Sequence, residues 1–204
     1  MDSYFPLGPY ARSISTKTDE AQTWYNRGLN WCYAFHHKEA VRCFEKVVEL
    51  DPDCPMGYWG IAYGTGPYYN IPWDKMSPTG RPVAVATCYE NAKKAVVLAA
   101  DAEVSAVEKA LCEAMARRFQ AEQCDGLDIL HQWDDDYADA IRTVYRDFAE
   151  DYDVAALTAE ALMVRTPWVL TIRSSAPHST PTTYGAWSVM RNAARNRAIK
   201  RRWT

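Results

Sequence analysis

Residues 21 to 54 read AQTWYNRGLNWCYAFHHKEAVRCFEKVVELDPDC, and this stretch decides the fold. Its first half carries apolar side chains at Trp24, Leu29, Trp31, Cys32 and Phe35, and Asp19-Glu20 just ahead supplies the acidic start that a helix dipole favours. The second half places Ala40, Val41, Phe44, Val47, Val48 and Leu50 on one stripe, with Lys38, Glu39, Arg42, Glu45 and Lys46 off it. Asp51-Pro52-Asp53 stops the second helix. Two antiparallel helices joined by a very short turn near His36 follow from that spacing.

The offsets within the pair are specific. With Trp24 in fourth place, Gly28 falls eighth, Trp31 eleventh, Ala40 twentieth, Phe44 twenty-fourth and Pro52 thirty-second, which is the 34-residue tetratricopeptide pattern. Small residues sit where the helices cross and large ones fill the space between them. Arg27 and Val47 depart from the usual Leu and Ala.

A second repeat begins at residue 55 with Met56, Tyr58, Trp59, Ile61, Ala62 and Tyr63. Gly64, Gly66, Pro67, Pro72, Pro78, Gly80 and Pro82 then break the periodicity and predict an inserted loop of about 15 residues. Helical spacing resumes from Val83. A third repeat is predicted from Asp101, a further helix carries Tyr137, Ile141, Val144 and Tyr145, and a last helix is opened by Asp153. The expected fold class is all-α, a right-handed solenoid of about three and a half antiparallel helix pairs. The predicted organisation is an irregular lead-in over 1–18, a helical-repeat domain over 19–168 and a basic tail over 169–204.

Composition narrows the function. Eight Trp and 13 Tyr are an aromatic excess that has to pack or bind something, and a net charge of -3 argues against nucleic acid or an anionic membrane as the main partner. No apolar run is long enough to span a bilayer, and the start lacks a secretory signal, so a cytoplasmic location is expected. The six cysteines contain no Cys-x-x-Cys pair and read as buried, reduced thiols. Past Glu160 no acid occurs, while eight basic residues do. A basic arm for an acidic partner and a shifted reading frame both explain that.

The runs Tyr33-Ala34-Phe35-His36-His37-Lys38-Glu39-Ala40, Glu49 to Cys54, Tyr58 to Ala62, Gly66-Pro67-Tyr68-Tyr69-Asn70, Tyr137 to Ala140 and Glu160 to Met163 resemble a family of bacterial and fungal tetratricopeptide proteins without an assigned biochemical role. The resemblance covers about 21 to 168. Members of that family continue with further repeats, so the resemblance implies a C-terminally truncated chain.

In such stacks the second, fifth, ninth, twelfth and thirteenth positions of the first helix line a concave groove. Here they are Gln22, Tyr25, Leu29, Cys32 and Tyr33, then Met56, Trp59, Tyr63, Gly66 and Pro67. Glu160 takes the place of Trp59 in the last repeat. Members that clamp a peptide's terminal carboxylate do so with Lys at the fifth position and Asn at the ninth. Tyr25 and Leu29 stand there instead, so that partner class is disfavoured. The candidate binding residues are Tyr25, Leu29, Tyr33, Trp59, Tyr63, Tyr69, Asn70 and Glu160, with the inserted loop placed over the groove mouth. Tyr and Trp give a large contact area at low entropic cost, which suits a peptide; packing of those same rings on neighbouring helices is the other reading.

His37 beside Glu39 is a weak metal candidate, and an alternative function groups His37, Asn70 and Glu160 around a ligand or metal of small-molecule metabolism. No phosphate loop, nucleophile elbow, zinc-protease or dinucleotide motif occurs, no cofactor is implied, and the chain reads as a binding protein rather than an enzyme. Asp134-Asp135-Asp136 is expected at the start of a helix, where its charge complements the dipole.

Overall fold

Thr18 opens the first helix by accepting the Ala21 amide on its side chain at 3.1 Å, and Asp19 and Glu20 occupy the first turn. In a computed structural model that describes residues 4–124, 126–167, 188, 189 and 191, this helix, α1, spans Asp19–Tyr33. It ends with the Phe35 amide donating to the Cys32 carbonyl and the His36 amide to the Trp31 carbonyl, the paired bonds that close a helix through a left-handed residue. That residue is Phe35, at φ 59°. His36 then caps α2, His37–Leu50, by accepting the Glu39 amide on Nδ1 at 3.3 Å.

Helix α3, Pro55–Thr65, starts on a proline that has no N–H to leave unpaired. It packs on α2, which packs on α1. Phe44, fully buried, is the pin of this trio. A β-carbon on Gly28 would lie 2.4 Å from Phe44 Cε1, and one on Gly60 would lie 2.4 Å from Phe44 Cδ1, so both backbones touch the ring directly. Ala40 and Ala62 are likewise fully buried at the helix crossings.

After the insertion come α4, Gly80–Ala99, and α5, Ala106–Arg118, followed by α6, Leu127–Asp147, and α7, Tyr152–Val164. The seven helices, with no strand among the described residues, make an all-α helical-repeat fold. None of these helices is long and apolar enough to cross a membrane.

Four local expectations shift. Helix α4 starts at Gly80 rather than Val83, because Pro82 is tolerated within a first turn. Residues Asp101 to Val104 form a turn, held by the Asp101 side chain on the Glu103 amide, so α5 begins at Ala106. Asp151, not Asp153, caps α7, accepting the Asp153 and Val154 amides. The acidic run Asp134-Asp135-Asp136 lies in the middle of α6, with Asp134 buried.

The described residues divide into two units that alternate along the chain. The first comprises Met1–Gly66 and Ala84–Ala116, the second Pro67–Val83 and Arg117–Thr204. In the first unit the lead-in is irregular but firmly tied. The Tyr4 hydroxyl accepts from Trp31 Nε1 at 2.7 Å and donates to Glu39 Oε1 at 3.0 Å, while Arg27 lies over the Tyr4 and Trp24 rings. Ser15 donates through its amide and hydroxyl to the buried Glu108 carboxylate of α5, and Thr16 and Lys17 donate to the buried Asp51. In the second unit α6 packs on α7 around Ala138, Ala155, Ala159 and Leu162, with Val189 buried against them. The rest of the basic stretch 169–204, apart from Ser188 and Arg191, lies outside the described residues, as does Trp168.

Candidate functional site

The sequence-derived residues fall on both units. In the first, Tyr25, Leu29, Trp59 and Tyr63 are buried, whereas Tyr33 is 38% exposed. Their spacing on α1 and α3 turns them to one side of each helix, and packing then fixes the rings: Tyr25 tilts on Phe44 at 5.6 Å between centroids, and Trp59 stacks on Tyr63 at 5.0 Å. The Trp59 indole N–H is sealed from solvent without a hydrogen-bond partner. Tyr33 meets Tyr10 of the lead-in edge to face at 5.7 Å.

His37, the weak metal candidate, is buried at the first turn of α2, and its neighbour Glu39 is engaged by Tyr4 and by Arg42 at 3.3 Å. Among the described residues no group of three or more His, Cys, Asp or Glu side chains is placed to hold a metal. Burial drives the thiols of Cys54 and Cys112 upward, the former to about 11, which keeps them protonated and inert at neutral pH.

In the second unit the loop brings Tyr69 and Asn70 to a tight turn closed by reciprocal Tyr68 and Ile71 backbone bonds at 3.2 and 2.9 Å. Asn70 is exposed at its tip. Tyr69 lies against Glu160, toward which its backbone N–H is directed. Beside them stands a buried charged group that the sequence-derived set lacks. Arg118, fully buried, donates from Nε to Asp134 Oδ1 at 3.1 Å and from Nη2 to the Pro67 carbonyl at 2.9 Å. Its guanidinium lies 4.8 Å from the centre of the Tyr137 ring.

Glu160 shares this interior. Both of its carboxylate oxygens are sealed from solvent and make no hydrogen bond of ordinary geometry; Arg118 Nη1 and the Tyr137 hydroxyl are in the same condition. Burial raises the Glu160 carboxyl to about 7, with Arg118 opposing that rise and Asp134 adding to it. Asp134 is also raised by burial, against the pull of Arg118. The Tyr137 hydroxyl is pushed well above its usual value by burial.

Arg118, Asp134 and Tyr137 carry a signal in the sequence. Arg118 follows Leu111 and Met115 on the buried stripe of α5, and Asp134 sits with Leu130, Tyr137 and Ile141 on that of α6. A charge on an apolar stripe calls for a partner.

These helices and their packing define a helical-repeat protein. Residues 21–54 match the model of the family described as Tetratricopeptide repeat, so that segment is one such repeat. No curated protein and no solved structure matches the chain.

Proposed function

We propose that the chain is a protein-interaction scaffold that holds a peptide or a partner protein along the first helices of its repeats. Tetratricopeptide repeats are protein-interaction modules, and the observation that carries the reading is the α1–α2 hairpin with its family match at 21–54. Phe44 clamped between Gly28 and Gly60 fixes the facing of α1 and α3. Tyr25, Leu29, Trp59 and Tyr63 then serve as the floor of the groove, and the part-exposed Tyr33 as its contact. With Tyr25 and Leu29 in the clamp positions, the partner is not recognised by a terminal carboxylate, and nucleic acid is not its class. A cytoplasmic location belongs to the same reading.

The test is affinity capture with the full chain, followed by identification of the bound protein and titration of the purified pair. Tyr33→Ala, at an exposed position, is expected to weaken the complex about tenfold while leaving helicity by circular dichroism unchanged. Unchanged affinity of the variant for the partner removes this face from consideration.

A further inference from the structure

The inserted segment Pro67–Val83 is fastened along its length to helices of its own unit. Arg118 of α5 donates from Nη2 to the Pro67 carbonyl at 2.9 Å, and the Tyr69 amide is directed at the Glu160 carboxyl of α7. Trp73 is fully buried with its ring edge-on to Phe119 at 6.3 Å, and Asp74 pairs with His131 of α6 at 2.8 Å. This closed arrangement carries a penalty. The Trp73 indole N–H, Arg118 Nη1 and the Tyr137 hydroxyl are sealed from water without hydrogen-bond partners, and water entering behind a lifted insert would relieve all three.

The charges beneath the insert balance only if a proton stays among them. Glu160 meets Arg118 of α5, Asp134 and Tyr137 of α6 and the Tyr69 backbone of the insert, and Arg118 is the cation of that group. Asp134 engages the guanidinium through Nε at 3.1 Å and so takes up its charge. A second ionised carboxylate in the same sealed interior would lack a counter-charge of its own, which leaves the proton on Glu160 while the insert is closed. Burial accordingly raises this carboxyl from its ordinary 4.5 to about 7, with Arg118 opposing the rise and Asp134 adding to it. His131 reaches the group only through Asp134.

We propose that Pro67–Val83 is a proton-held strap, closed on α5, α6 and α7 while Glu160 carries its proton and lifted when that proton is lost. Deprotonation leaves a buried anion, and lifting Pro67 and Tyr69 away from Arg118 and Glu160 lets water solvate it. Opening also withdraws Trp73 from Phe119 and bares the apolar surface between them. The His131–Asp74 pair adds a smaller contribution of the same sign, because its ion-pair part needs the imidazolium and both groups are about half exposed. The strap lies wholly in the second unit and stands independently of the scaffold reading, which rests on the first.

The closed state holds the Glu160 proton more tightly than the open one, so its advantage is full below pH 4.5 and is lost as pH rises through 7. Between about pH 6 and about pH 8 the ratio of closed to open strap should fall about tenfold. Hydrogen exchange of the full chain, corrected for intrinsic amide chemistry, reads this at the Tyr68, Ile71, Lys75 and Met76 amides, each of which is bonded within the insert. Their protection is expected to lie below that of α6 and α7 at either pH and to fall about tenfold across the interval. Glu160→Gln keeps the shape without a titrating proton and should reduce the change to about threefold or less, whereas His131→Asn should retain most of it. Insert protection equal to that of α6 and α7, or unchanged between the two pH values in the parent chain, overturns the proposal without recourse to any variant. So does an undiminished fall in a folded Glu160→Gln chain, or a fall abolished by His131→Asn.

Discussion

Replacing Gly28 with alanine sets two opposing effects against each other. In an isolated helix the change would stabilise, because alanine is better than glycine in a helix interior by about 0.8–1 kcal/mol. Here the new methyl carbon would stand 2.4 Å from Phe44 Cε1, 2.7 Å from Cζ and 2.8 Å from Cδ1. Carbon atoms prefer about 3.5–4.0 Å, so the overlap is on the order of 1 Å across one edge of the ring. The ring has little room to retreat, since the Gly60 backbone of α3 also lies against Cδ1 and Cε1. Overpacking costs about 1–3 kcal/mol, and an overlap of three ring atoms in a fully buried contact belongs in the upper part of that range, about 2–3 kcal/mol, so after the propensity gain the net loss is about 1–2 kcal/mol. For a chain of this size that lowers Tm by about 4 °C. Urea denaturation followed by circular dichroism measures the loss, and the double change with Phe44→Leu supplies the control. Leucine withdraws the ring atoms that clash, so the double variant should lose less than the sum of the two singles. A Gly28→Ala chain as stable as the parent, or strict additivity with Phe44→Leu, would refute the claim that the ring separates these helices.

Phe35 holds a left-handed backbone that an L side chain occupies at a cost, and its ring is 57% exposed, so Phe35→Gly should stabilise the chain by about 1 kcal/mol in urea denaturation. Glu160 titrates near 4.5 when unfolded and near 7 when folded, so its folded form binds protons more tightly. Its contribution is fully favourable below pH 4.5 and is lost as pH rises through 7. Stability of the parent relative to Glu160→Gln should therefore fall across that window, and a constant difference from pH 4.5 to 8 would contradict the burial of this carboxyl.

The first hairpin is legible in sequence because its positions carry independent size constraints: Gly28, Ala40 and Phe44 each answer to a different neighbour, and few other folds would ask for all three at those offsets. Helix ends are less legible. Asp134-Asp135-Asp136 resembles a helix opening because surface acids gather there, yet α6 begins at Leu127 and Asp134 faces inward to Arg118. That pairing spans two helices, so no window of sequence contains it. Glu160 stands out in sequence by replacing an aromatic in the repeat pattern, and Arg118 by sitting on the apolar stripe of α5, but only tertiary packing decides which groups they face.

The order in which the two units take their pieces from the chain bears on synthesis. Pro67–Val83 leaves the ribosome well ahead of α6, which packs on the turn carrying the buried Trp73 and engages Asp74 through His131. Chain grows at about 5–20 residues per second, so this segment waits several seconds with its tryptophan unprotected while the first unit awaits α5 and its Glu108. Neither unit can be released by a single cut between them, and a nascent chain stopped near residue 100 holds one unit unfinished and the other barely begun.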